Sequence, residues 1–256
     1  MFLERIMNKY LKNLNRIEFV VTMACTGKCK HCSEGDHANC KGYMDADVAV
    51  SAVRKVCEHY KIKSLMTFGG EPLLYPDVVC AIHRAAKEMG IPQRDLITNG
   101  FFSKDSDRIK EVVEYLEASG VDQILLSVDA FHQETIPLEP VKLFAEYVAK
   151  SKMKIKLSPA WLVSKEDNNA YNEKTRELLK EFEGLDIPVG EGNVIFPSGN
   201  ALIYLKDYFD ESVEYINPYE DNPRDIRAIS FSPNGDVLDG NIYQKGILEI
   251  LKDYRP

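Results

Sequence analysis

The chain has 256 residues, 45% hydrophobic and 28% charged, with a formal net charge of −8 and both signs scattered along its length. That length can bury one large core, and the absence of a basic stripe to neutralise phosphates excludes non-specific nucleic-acid binding. No apolar run approaches the roughly 20 residues that cross a bilayer, and the opening MFLERIMNKYLKNLNR lacks a long apolar stretch and a small-residue cleavage site, so a cytoplasmic protein without membrane contact is expected.

In chain order, short apolar or β-branched runs alternate with longer segments of helical period. The pattern predicts strand 17–22, helix 45–60, strand 64–68, helix 76–89, strand 95–98, helix 106–119, strand 123–128, helix 139–151, strand 154–157, helix 172–183 and strand 190–196. Repeated βα units of this kind give an α/β fold with a parallel sheet, either partly closed as a barrel or spread as an open doubly wound sheet. After about residue 200 the text turns rich in Tyr, Asp, Asn and Pro; SPNGDV then predicts a strand-turn-strand hairpin, and 245–251 a closing helix. We expect residues 1–200 to form the main unit and 201–256 a short extension.

Ligands of such a sheet gather at the C-terminal strand ends. Four motifs fall there: the cysteines after the first strand, GGEP after the second, TNG after the third and SVDAFH after the fourth. All six cysteines (Cys25, Cys29, Cys32, Cys40, Cys57, Cys80) lie in the first third of the chain, a clustering that points to metal rather than to a disulfide framework. CTGKCKHC places three thiols on one tight polar loop, close enough to grip three corners of an iron-sulfur cubane and leave one iron open. Zinc competes, with His31 or His37 completing four ligands. Cys57 and Cys80 fall in helical periods and read as small core residues, and Cys40 as a free surface thiol.

In GGEP, Gly69 and Gly70 allow a backbone to approach a ligand closely, and Glu71 can accept from an ammonium group; a plain turn before a proline-started helix is the simpler alternative. TNG (Thr98, Asn99, Gly100) is likewise a turn or a polar contact. Ser127 and Asp129 stand at alternate positions and share a face. His132 contacts substrate, relays a proton, or is merely a solvated or capping loop residue. Trp161 either walls a cavity or packs in the core.

The CxxxCxxC loop after a first strand resembles that of radical S-adenosylmethionine (radical SAM) enzymes, matching at Cys25, Cys29 and Cys32, with His31 where an aromatic residue usually precedes the third cysteine. The resemblance implies a partial (β/α)6 TIM-like barrel and a [4Fe-4S] cluster whose open iron chelates S-adenosylmethionine. It also implies an external reductant such as flavodoxin or ferredoxin, and cleavage to a 5′-deoxyadenosyl radical that takes hydrogen from a substrate. By the same resemblance Gly69, Gly70 and Glu71 contact the methionine amino group, Asn99, Ser127 and Asp129 approach the ribose, and His31 lies against the adenine. The final segment resembles the SPASM/twitch-like extension of family members that modify peptides or proteins, but Asp239 and Gly240 stand where cysteines would hold an auxiliary cluster. A peptide or protein substrate is therefore expected, with a small molecule or nucleoside as the enzymatic alternative and a non-catalytic cluster- or zinc-binding module as the alternative of another class.

Overall fold

The structure, a computed structural model, describes residues 8–37, 39–210, 212–215, 217 and 220–256. Its strands are β1 (Arg16–Val20), β2 (Ser64–Phe68), β3 (Gln93–Thr98), β4 (Gln123–Leu126), β5 (Lys154–Leu157), β6 (Ala160–Trp161), β7 (Asn193–Val194), β8 (Ala228–Phe231), β9 (Asp236–Val237) and β10 (Gly240–Asn241). Its α-helices are α1 (Ala46–His59), α2 (Pro76–Glu88), α3 (Ser106–Ser119), α4 (Ala130–Gln133), α5 (Leu138–Ala149), α6 (Ala170–Lys180), α7 (Asn200–Tyr204) and α8 (Ile247–Asp253).

Six strands form one parallel sheet in the order β5-β4-β3-β2-β1-β8. The fold is the expected α/β architecture, a partial barrel left open, with β5 and β8 at its two edges. Local chemistry sets the helix ends. Asp45 accepts from Val48 N to start α1, Pro76 opens α2 where its missing N–H costs nothing, and Asp105 caps α3. Gly120, at φ +87°, ends α3 in the left-handed conformation that glycine adopts without strain. Ile17, Phe19, Leu65, Leu96, Ile124, Leu126 and Leu157 are fully buried and belong to one continuous core with the inner faces of the helices.

Two expectations fail in the same region. The sixth strand of the sheet is β8, not 190–196, of which only Asn193–Val194 forms a strand, paired with β6 in a separate small sheet. Gly192 explains the interruption: its φ is +74° and an added Cβ would lie 2.2 Å from Pro159 O. The ladder bends there and reaches β5 only through an isolated Leu157–Val189 bridge. AISF instead joins β1, where Ile229 and Phe231 are fully buried and the Phe231 ring stacks on Phe19 at 4.7 Å. Burying two such side chains contributes about 2 kcal/mol each, enough to hold a four-residue edge strand in place. The predicted hairpin also shifts: SPNG makes a turn closed by Ser232 and Asp236, but the antiparallel ribbon is β9 with β10 across the next turn. The last helix runs Ile247–Asp253, two residues later than expected, and α4 was not anticipated at all.

Candidate functional site

The cysteine loop leaves β1 and is pinned to the turn after β2 by backbone alone. Gly70 N donates to Thr22 O at 2.7 Å and Glu71 N to Ala24 O at 2.8 Å. A Cβ on Gly69, whose φ is +148°, would lie 2.3 Å from Thr22 O, and one on Gly70 would lie 2.2 Å from Ala24 O. The close approach that these glycines permit is thus first of all backbone against backbone, the arm of the cysteine loop lying on the GG turn.

The loop's far side is held by a residue that the sequence did not flag. Asn200, buried at the start of α7, donates through Nδ2 to Cys29 O at 3.0 Å, and its backbone N donates to Cys32 O at 2.9 Å. Gly199 makes this contact possible, since a Cβ there would meet Ser33 O at 2.4 Å. No spacing rule links SGN to cysteines some 170 residues earlier, so only the folded chain reveals the pairing.

Cys29 is buried, while Cys25 and Cys32 are half-buried. Burial pushes the Cys25 thiol up to about 11 and the Cys29 thiol higher still, and the carboxylates of Asp129 and Glu134 add to the effect at Cys29. Burial also raises Cys32. Two side chains reach sulfur: the Asn99 amide nitrogen lies 3.7 Å from Cys25 Sγ, and His37 Nε2 lies 3.1 Å from Cys32 Sγ. Asn99 is fixed for this by its Oδ1, which accepts from Phe101 N at 2.8 Å.

Glu71 is completely buried, and its carboxylate is taken up by the protein. Oε1 accepts from Leu73 N and from Thr98 Oγ1, both at 2.8 Å, and Oε2 accepts from Asn99 N at 2.9 Å. Burial pushes its pKa up to about 7 against the pull of these three donors. The carboxylate thus joins the GGEP turn to the TNG turn, and the backbone of Gly69 and Gly70 is what faces the cysteine loop.

Asp129 is likewise taken up by protein donors. It is completely buried; Oδ1 accepts from Phe131 N and His132 N, and Oδ2 accepts from Ala160 N at 3.0 Å and from His132 Nδ1 at 2.8 Å. It starts α4, anchors β6 and orients His132. Burial raises its carboxyl, yet the His132 imidazole beside it and four donated hydrogen bonds outweigh that and hold it well below the usual range. For His132 burial acts downward, and Asp129 prevails to hold it above its ordinary value. The remaining face of His132 meets His31, with ring centroids 4.9 Å apart, and His31 also lies against Phe131 at 5.0 Å. Burial lowers His31 to about 4, and its Nδ1 is buried without a protein partner. Ligand atoms of Cys29, His31 and His132 lie within 4.8 Å of one another.

Ser127 remains half-exposed, its N–H donated to Thr98 O. Trp161 packs rather than walls a cavity: it is 3% exposed and donates Nε1–H to Glu191 O at 2.8 Å. Cys80 is a core residue as expected, whereas Cys57 and Cys40 are only half-buried. A charged cleft of about 800 Å³ opens at the opposite rim, among Arg94, Asp95, Asp122 and Lys152, away from every motif named above.

The comparisons with known proteins agree with this geometry. A probable GTP 3′,8-cyclase of Saccharolobus islandicus is 27% identical over 259 residues, covering 97% of this chain and 78% of that protein. The protein of that name from Methanocaldococcus jannaschii is 27% identical over 128 residues, covering 50% of this chain and 40% of its own. Among solved structures, Streptococcus suis SuiB bound to S-adenosylmethionine superposes with a TM-score of 0.61 at 17% identity, covering 94% of this chain and 66% of SuiB. The anSMEcpe structure with bound AdoMet gives 0.60 at 16%, covering 94% and 80%. At such identities the likeness is one of fold. The family model described as the Radical SAM superfamily matches residues 19–153, more than half of the chain. With the cysteine loop, the GG turn and the open parallel sheet, that match settles the family: the chain belongs to the Radical SAM superfamily, enzymes that use a [4Fe-4S] cluster with S-adenosylmethionine.

Proposed function

We propose that this radical SAM enzyme holds one [4Fe-4S] cluster on Cys25, Cys29 and Cys32, cleaves S-adenosylmethionine reductively and abstracts hydrogen from a peptide or protein. The observation that carries the reading is three thiols on one loop at the C-terminal rim of a parallel sheet, seated directly on the GG turn. The donor set fits the cluster. Three soft sulfurs share one loop, and the groups that act electrically on Cys29 are carboxylates and the other two thiols, which disfavour a free thiolate; cluster iron would provide the missing positive charge. When bound, cluster and cofactor supply an electron and a hydrogen-abstracting radical, from a reductant of the flavodoxin or ferredoxin kind.

The chain's own part is binding and orientation. The backbone of Gly69 and Gly70, fixed against Thr22 and Ala24, serves the methionine amino group; Asn99 and Ser127 serve the ribose end; His31 lies against the adenine. His132, held by Asp129, presents its free edge toward this space and is the residue we assign to substrate contact. We read 1–200 as the unit that carries the chemistry and 201–256 as an extension that completes the sheet through β8. Among the described residues, no helix is long and apolar enough to cross a membrane.

A peptide suits the rim beside His132. β6 is anchored to Asp129, and β7, paired only with β6 among the described residues, has an exposed outer edge with Val194 half-exposed. An extended peptide can add to such an edge through its main chain. The nucleotide reading is supported by a different observation, the similarity to GTP 3′,8-cyclases along nearly the whole chain. Deuterium transfer separates the two. The reduced, reconstituted enzyme with S-adenosylmethionine and a deuterated peptide library should yield deuterated 5′-deoxyadenosine, whereas transfer from deuterated GTP alone would replace the peptide reading with the nucleotide one.

A further inference from the structure

We propose that His37 donates a hydrogen bond from Nε2–H to the Cys32 sulfur and thereby raises the reduction potential of the cluster. The inference rests on the cluster assignment above. His37 Nε2 lies 3.1 Å from Cys32 Sγ, the closest side-chain nitrogen contact to any of the three cluster sulfurs that the structure gives. The backbone on either side is tied at short range: Gly35 N donates to Cys32 O at 3.3 Å and Cys40 N to His37 O at 3.1 Å. The loop from Cys32 to Cys40 therefore folds back so that the imidazole stays on the sulfur.

The tautomer follows from the surroundings. A cysteine that binds iron is a thiolate and accepts hydrogen bonds, so a lone pair on Nε2 would face negative charge at 3.1 Å. His37 Nδ1 is buried without a protein partner, and a proton placed there would be a buried donor with no acceptor. The proton on Nε2 removes the first cost and leaves Nδ1 an unpaired acceptor instead of an unpaired donor, so of the two neutral tautomers only this one gives the ring a hydrogen bond to the sulfur. The electron that reduces a cluster raises the negative charge on its sulfurs, so a donor to one of them stabilises the reduced form, more strongly at low local dielectric. Cys25 has a longer partner, the Asn99 amide at 3.7 Å, and Cys29 lies among His31 and His132. Cys32 is thus the position where one side chain acts on the cluster most directly, and no proton or electron passes through His37.

The test is a redox titration followed by electron paramagnetic resonance on the reconstituted chain, without S-adenosylmethionine, comparing the unmodified protein with His37→Gln and His37→Phe. In His37→Phe the ratio of reduced to oxidised cluster, at the potential where the unmodified protein is half reduced, should fall about tenfold, which is about 59 mV for one electron. His37→Gln, which keeps an amide N–H at similar reach, should recover at least half of that change, with iron content equal in all three. Equal midpoints in all three proteins would overturn the inference, and so would loss of iron in His37→Phe, which would make His37 a ligand. An unmodified chain that assembles no four-iron cluster would overturn the cluster assignment and this inference together; a normal cluster indifferent to His37 would overturn the inference alone.

Discussion

At the N-terminal ends of the strands, charge is answered by charge. Arg94 donates to Gly120 O and Ile91 O and pairs with Asp122 at 2.6 Å, and Gln93 donates to Asp95 Oδ2, although Asp95 Oδ1 has no protein partner. At the C-terminal ends the polar groups hold a loop instead: Asn200, Glu71 and the glycine backbone fix the cysteines, Asp129 fixes His132, and the charges that act on the three thiols, among the described residues, are carboxylates and other thiols. His31 Nδ1, His37 Nδ1 and Gln133 Nε2 are buried there without a protein partner. Both rims close the same sheet, so the difference is not required by the fold. Buried polar groups are almost always satisfied, and their concentration at one rim marks where the chain serves chemistry at the expense of stability.

That contrast can be broken by substitution. The largest effect is expected at the cysteines: Cys29→Ala should reduce iron in the reconstituted protein from about four per chain to near zero, whereas Cys80→Ala, on the buried face of α2, should leave it unchanged. Equal loss in both would erase the distinction between ligand and core cysteine. Gly70→Ala comes next, because its Cβ meets backbone rather than a flexible side chain; about 3 kcal/mol of stability and most of the cluster should be lost. Gly42→Ala, with open space around it, should change neither, as read by urea unfolding and iron content.

Glu71 gives a pH test. Its folded pKa, pushed by burial from 4.5 to about 7, lies above the unfolded value, so its contribution is complete below pH 4.5 and disappears as pH rises through 7. In the cluster-free chain the associated loss should be about 3 kcal/mol between those limits, and Glu71→Gln should flatten it. A slope that survives in Glu71→Gln would assign it to another group. Smaller again, Arg94→Ala at the opposite rim should cost about 2 kcal/mol by removing the ion pair to Asp122 Oδ1 and the donors to two carbonyls, with iron content and cofactor cleavage untouched. Asn200→Ala should cost only about 1 kcal/mol yet hasten loss of iron, because what it removes is the tie to Cys29 O. If Arg94→Ala released iron and Asn200→Ala did not, the two rims would have exchanged roles.

The parts of the molecule legible in the sequence are those whose causes are local. SLMTF and KIKL become β2 and β5 with the expected ends, since each is a short apolar or alternating run beside helix signals. The cysteine spacing and the glycine pair stood out for the same reason. SPNGDV reads as a hairpin because the PNG turn dominates its neighbourhood, while AISF just before it pairs with β1, some 210 residues earlier. The protein partners of Glu71 and Asp129 are not legible in the sequence, because a carboxylate near a rim looks the same whether or not backbone and side-chain donors surround it. Asn200 carried no signal at all, being an ordinary helix-start residue until the fold brings it to Cys29.

The most direct test of the central claim, one cluster on Cys25, Cys29 and Cys32 that cleaves S-adenosylmethionine, is product formation by the anaerobically reconstituted, reduced chain. Methionine and 5′-deoxyadenosine should appear in equal amounts with about four irons per chain, and both should vanish in Cys29→Ala. About one zinc per chain and no 5′-deoxyadenosine would contradict the account.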